Sequence, residues 1–229
     1  MELSLSQQIY ELCQKSQSIL IATPDYADYD ILSAAAGLAI TLERHGKAVF
    51  LIGPEVIPTE LGFFPKTVVF KKEISMTTGA LTILLKTQNA QLDELRYVEE
   101  PEGVKIFLKP KEGAFTSEDV TVESGLSSID LVITVGASSL EGLGNLYEAH
   151  ADLLYGVAKI NFDKSPANEY FGTINVVDVV SSSNAELVAR TLLAMENFEV
   201  PSTAATCFLG GIMQATSSFQ FTSTTANTF

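Results

Sequence analysis

The chain has 229 residues, of which 46% are hydrophobic and 18% charged, enough apolar side chain to bury a core and to exclude wholesale disorder. Its net charge of −14 reflects 14 basic against 28 acidic residues, with eight of the bases and ten of the acids between positions 66 and 128. The remainder lacks the clustered Lys and Arg that displace counterions from a phosphate backbone, so long nucleic acid is excluded as a partner, while a small nucleotide or phosphate in a local pocket is not.

The N-terminal segment, MELSLSQQIYELCQKSQS, has no basic region followed by an apolar run, so it is not a secretory leader. It predicts an amphipathic helix with Ile9, Leu12 and Cys13 on one face. No apolar run is long enough to span a membrane without charges or turn residues. The two cysteines, Cys13 and Cys207, both fall in apolar helical contexts and fit buried free thiols in a reducing, cytoplasmic setting.

Ser18 to Ala22 is a short apolar run, as expected of a buried parallel strand. A polar loop from Thr23 to Tyr29 leads into an apolar helix that ends at Arg44-His45-Gly46, and a second strand covers Lys47 to Gly53. This is a βαβ unit with a right-handed crossover. The segment 54–65 reads as loop. Between 66 and 128 the pattern changes to short strands at Thr67–Phe70, Ala80–Lys86, Leu92–Val98 and Val104–Pro110, with a hairpin turn at Glu100-Pro101-Glu102-Gly103. This block predicts an antiparallel β insertion. The parallel pattern resumes with a strand at Ile129–Val135, a helix over Leu140–Leu153, and strands at Val157–Phe162 and Thr173–Val177. A helix follows Ser181-Ser182-Ser183, another spans Ser202 to Ala215, and Thr216 to Phe229 reads as an irregular tail. The expected fold is a doubly wound, mostly parallel, Rossmann-like α/β domain over 1–65 and 129–229, with 66–128 inserted.

Ligands of such sheets bind beyond the carboxyl ends of the strands, which directs attention to the loops after Ala22, Val135 and Phe162. The first carries Asp28-Tyr29-Asp30, two carboxylates able to converge on a hard cation; the alternative is that one of them caps the following helix. The start of the helix at Ser182 and Ser183 offers backbone N–H groups to a phosphate, or a plain cap. His45 and His150 are expected at helix C-termini, where the dipole favours a cation. Ser138 and Ser139 have no neighbouring base identifiable from sequence.

The third loop, Asp163-Lys164-Ser165-Pro166-Ala167-Asn168, followed by Phe171-Gly172-Thr173-Ile174-Asn175-Val176-Val177-Asp178, resembles the signature region of the DHH phosphoesterases, which include RecJ-type exonucleases, oligoribonucleases and pyrophosphatases. Gly211-Ile212-Met213-Gln214-Ala215-Thr216 resembles the family's last motif, and all four motif regions can be placed in order outside 66–128. The resemblance implies a two-metal Mn²⁺ or Mg²⁺ centre, of which Asp28, Asp30 and Asp163 remain as ligands. At the other motif positions stand Pro24 for a His, Gly136 for an Asp, Lys164 and Ser165 for a His-His pair, and Ala215 for an Asp. Glycine offers no donor, and a lysine ammonium would repel a metal; Lys164 is expected either to pair with Asp28, Asp30 or Asp163 or to point to solvent. Asn168 matches the family's Pro-x-Asn. The resemblance also implies a second, substrate-gripping domain, expected to be absent here.

The expected function is therefore a DHH phosphoesterase-like protein that has lost metal-dependent hydrolysis and binds a ligand or partner as a pseudoenzyme, through Lys164, Asn168, Ser182 or Ser183, with no cofactor. The alternatives are a working phosphoesterase or nuclease on short nucleotides with one Mn²⁺ or Mg²⁺, and an assembly protein whose 66–128 block meets a protein partner.

Overall fold

The computed structural model describes residues 3–54, 58–74, 81–124, 129–196 and 198–228. The helices are α1 (Leu5–Lys15), α2 (Tyr29–Arg44), α3 (Asn145–Gly156), α4 (Asn184–Leu193) and α5 (Ser202–Ala215). The strands are β1 (Ser18–Ala22), β2 (Ala48–Ile52), β3 (Leu81–Leu85), β4 (Leu92–Glu100), β5 (Gly103–Pro110), β6 (Val120–Ser124), β7 (Leu131–Val135), β8 (Ala158–Asp163) and β9 (Ile174–Val177). The chain divides into two compact units, 1–74 with 129–229, and 75–128.

The first unit is a doubly wound α/β fold. Its five strands are all parallel and run in the order β2-β1-β7-β8-β9. Side chains of β1 and β7 are apolar almost throughout because both faces are covered, and Ile19, Leu20, Ile21, Leu131, Val132 and Ile133 are all buried. Each fully buried Leu or Ile of this kind contributes about 1.5–3 kcal/mol of transfer free energy. The chain moves to one side of β1 to make β2 and to the other to make β7, so the order reverses between β1 and β7. In open sheets that reversal leaves a crevice beyond the carboxyl ends of the two strands.

α1 starts with a capping box, in which the Ser4 hydroxyl accepts from the Gln7 N–H and the Gln7 side chain accepts from the Ser4 N–H. Ile9 and Cys13 are buried, with Leu12 partly so. α2 is almost wholly buried, and α5 crosses it at glycines. A Cβ on Gly37 would lie 2.6 Å from the Phe208 ring, and one on Gly211 would lie 2.9 Å from the Ser33 Cβ. Position 208 thus meets 37 and position 211 meets 33, so α5 runs antiparallel to α2 and carries Ala215 toward the N-terminal end of α2.

Three expectations change. Thr67–Phe70 is not a strand. A turn closes it, with the Val68 N–H on the Pro65 carbonyl, the Phe70 side chain is buried in the core, and Lys71 alone bridges to Ile52. Phe70 and, in part, Val68 serve packing, not a ladder, while Val69 is exposed. The helix expected over 140–153 is divided: a 3₁₀ turn at Glu141–Leu143 ends at Gly144 with φ +54°, and α3 begins after it. His150 is not at a helix C-terminus. It sits within α3 at a non-helical φ of −136°, where the helix kinks.

The second unit consists of two antiparallel ribbons, β3 with β6 and β4 with β5. The β4–β5 hairpin turns at Pro101-Glu102 with Glu100 paired to Gly103, whose φ is +151°. β6 was not expected; its Val120-Thr121-Val122 alternation is the signal that marks it. Among the described residues, no helix is long and apolar enough to cross a membrane.

Candidate functional site at the sheet crevice

The β1–α2 loop, the turn after β7 and the loop after β8 meet at the crevice. Ala22 is in register with Thr134 and Val135 with Phe162, so Gly136 and Asp163 leave the sheet side by side, and the Gly136 N–H donates to the Phe162 carbonyl at 2.8 Å.

Asp28 is exposed and is the N-cap of α2: its Oδ1 accepts from the Ile31 N–H at 2.9 Å. Asp30, in the first turn of the same helix, is 2% exposed and turns away from its own helix toward α4. Its Oδ2 accepts from the Asn184 N–H at 2.6 Å and from the Asn184 Nδ2 at 3.2 Å, and its Oδ1 accepts from the Ala185 N–H at 2.9 Å. The carboxylate thus occupies the anion position at the start of α4. Burial pushes its pKa up to about 6, against the backbone donors of Ala185 and Asn184 and the Lys164 charge, which pull it down.

Asp163 ends β8 and is buried. Its Oδ2 accepts from the Ser138 hydroxyl at 2.9 Å and from the Asn168 Nδ2 at 2.7 Å, and its Oδ1 accepts from the Ser165 N–H at 3.1 Å. Asn168 also donates to the Ala137 carbonyl, and its Oδ1 accepts from Asn161 Nδ2 and from the Tyr170 N–H. Asn161 in turn accepts from the Thr134 hydroxyl at 2.9 Å. Thr134, Asn161, Asn168 and Asp163, all buried, and the half-buried Ser138 therefore form one continuous chain that ties β7, β8 and the β8 loop together. Sequence reasoning missed Thr134 and Asn161. Their signal was a polar residue inside a buried strand, Thr134 in the otherwise apolar β7 and Asn161 between Ile160 and Phe162 of β8. Ser138 does have an acceptor neighbour, Asp163, but no histidine joins them.

Among the described residues, no carboxylate forms an ion pair with Lys164, which is half-buried. Its Nζ donates to the Ser182 carbonyl at 3.2 Å. Ser182 and Ser183 are taken up locally. The Ser183 hydroxyl caps α4 by accepting from the Glu186 N–H at 2.9 Å, while Ser182 gives both its N–H and its hydroxyl to the Glu186 carboxylate. Glu186 also accepts from the Thr228 hydroxyl at 3.0 Å, which anchors the expected irregular tail. A phosphate position at the start of α4 is thus filled from within the chain, by Asp30. Ser165 caps its own loop, with its hydroxyl accepting from the Ala167 N–H. Pro24 is buried, and its carbonyl accepts from the Ala27 N–H. His45 caps α2 and stacks on Phe198 with ring centroids 4.0 Å apart.

The fit to a metal follows from these contacts. Among the described residues, no group of three or more His, Cys, Asp or Glu is placed to hold a metal ion. Asp28, Asp30 and Asp163 do not converge as the sequence led us to expect, because each carboxylate answers a different set of protein donors. At Gly136, φ is +72° and a Cβ would lie 2.5 Å from the Ile31 Cδ1 and 2.6 Å from its Cγ1. The space that a carboxylate would need is filled by hydrocarbon. The residues present do not fit a divalent-metal centre, and no hydrolytic step is derived through one.

No family model matches the sequence, and no curated protein sequence matches it. Among solved structures, the chain is similar to an exopolyphosphatase-related protein from Bacteroides fragilis, with a TM-score of 0.65 and 17% identity over 97% of this chain. It spans 53% of that protein's length. The Rossmann-like α/β fold of this chain is thus also that of a phosphatase-related protein.

Proposed function

We propose that this chain is a DHH phosphoesterase-like protein that no longer hydrolyses through metal and works by binding, either a small nucleotide or phosphate at the crevice or a protein partner. The observation that carries the reading is the capture of the Asp30 carboxylate by the Asn184 and Ala185 N–H groups of α4. A two-metal hydrolase needs carboxylates free to bridge ions about 3.5–4 Å apart, and a carboxylate bonded to three protein donors is not one of them. The likeness to an exopolyphosphatase-related fold is in keeping with such an ancestry.

The test uses the chain as it stands. Melting temperature is followed with millimolar Mn²⁺, with Mg²⁺ and with EDTA, and hydrolysis is assayed on a dinucleotide, on polyphosphate and on a generic phosphodiester. The expected result is an unchanged Tm in all three solutions and no metal-dependent cleavage. Manganese-dependent cleavage that disappears in Asp28→Ala would overturn the reading in favour of a working phosphoesterase with a reduced site.

A further inference from the structure

We infer that Ile31 is a plug, locked against Gly136, that keeps the crevice closed to a cation even when a carboxylate is put back at position 136. The inference rests on the pseudoenzyme reading but on a different observation. Motif replacement explains why ligands are missing; it does not say whether restoring them would rebuild the site. The packing at Gly136 answers that question.

Three Ile31 carbons lie within van der Waals overlap of a Cβ at position 136, at 2.5, 2.6 and 3.2 Å. They are Cδ1, Cγ1 and Cγ2, so the whole branched side chain, not one flexible tip, lies against the glycine. Ile31 is 7% exposed and belongs to the main core cluster. Its backbone is fixed at the first turn of α2 by the Asp28 cap, and β-branching restricts χ1 in a helix. Gly136 is held in turn by its N–H on the Phe162 carbonyl. Neither side can give way cheaply. Ile31 stands one residue from Asp30, in the same helical turn, and three from the N-cap Asp28, and it meets the turn after β7 at Gly136, which leaves the sheet beside Asp163. An apolar side chain there contributes no ligand, and it displaces the water that a hydrated Mg²⁺ or Mn²⁺ would retain. Gly136 and Ile31 thus form an interlocked pair, in which any side chain at one requires a smaller one at the other.

A double-mutant cycle tests this, because the strain of an L-residue at φ +72° is present in Gly136→Ala both with and without Ile31→Ala and cancels between those two proteins. Gly136→Ala and Ile31→Ala are made singly and together, and Tm is measured. Ile31→Ala in the native background is expected to lower Tm, since it opens a cavity. In the Gly136→Ala background the same change is expected to raise Tm, a reversal of sign. Gly136→Asp, with Ile31 intact, is expected to show no manganese-induced rise in Tm and no tenfold drop in free Mn²⁺ by paramagnetic resonance. Equal Tm losses from Ile31→Ala in both backgrounds would overturn the plug. So would manganese binding by Gly136→Asp with Ile31 in place. Manganese binding by the unmodified chain would instead sink the pseudoenzyme reading, so the two failures are distinguishable. If Gly136→Asp does not accumulate as folded protein, the alanine cycle alone decides.

Discussion

The single residue that organises the crevice is Asp30. Its carboxylate joins the first turn of α2 to the first turn of α4, and its pKa is raised to about 6 by burial. The raised value has a definite sign in stability. Between the ordinary carboxyl value of 3.8 and about 6, the folded chain holds a proton that the unfolded chain has released. Stability from this group is therefore fully present below the lower value and is lost as pH rises through the upper one. One pKa unit is about 1.4 kcal/mol, so the difference is on the order of 3 kcal/mol. Asp30→Asn cannot titrate. Urea unfolding at pH 4 and pH 7 should show the stability of the native chain, relative to Asp30→Asn, falling by a few kcal/mol across that range. A constant difference would show that Asp30 titrates at its ordinary value. Asp163 teaches the opposite lesson about legibility. The residue was visible in the sequence as a strand-ending carboxylate, but its partners, Ser138 and Asn168, lie 25 and five positions away. Nothing local distinguishes a carboxylate that awaits a metal from one already bonded to an amide and a hydroxyl.

Among elements, the α2–α5 crossing decides how closely the helical layer sits. Gly211 has no room for a side chain: a Cβ would come within 2.7 Å of the Ala185 Cβ and 2.9 Å of the Ser33 Cβ, and a Cβ moves only with its helix. Alanine is a better helix former than glycine by about 1 kcal/mol, yet the overpacking should win. Gly211→Ala is expected to destabilise by about 1–3 kcal/mol, measured by thermal or urea melting. Gly156, in the last turn of α3, has nothing within 4 Å of its Cβ position, so Gly156→Ala should be neutral or slightly stabilising. If both changes had the same effect, close packing at the crossing would not be the reason for Gly211. The sequence marked a helix from Ser202 to Ala215 but gave no sign of which helix it meets. Similarly, the apolar run at Thr67–Phe70 fitted a strand by composition and turned out to supply a buried Phe70, because a short apolar run has no period long enough to separate a ladder from a packed loop.

At the scale of the molecule, the strands that build the parallel sheet all lie outside 75–128. Replacing 75–128 by a short Gly-Ser linker is therefore expected to leave a chain that melts cooperatively with α/β circular dichroism. Loss of that transition would show that the sheet depends on the inserted ribbons. The sequence by itself determined the strands and helices of the parallel sheet and the alternation that makes it doubly wound. Buried parallel strands are near-continuous apolar runs, and caps such as Ser4, Asp28 and Ser183 act within three residues of themselves. It also determined which side chains the crevice lacks, since Gly136 and Ala215 have no carboxylate wherever the chain places them. Only the tertiary structure decided what the remaining carboxylates do. Asp30 faces α4 across 154 positions of sequence, and Ile31 meets Gly136 across 105. Periodicity and capping are local and can be read along the chain. The choice between a metal, a helix N-terminus and a hydrocarbon neighbour is made by distances that exist only after the sheet has brought the ends of β1, β7 and β8 together.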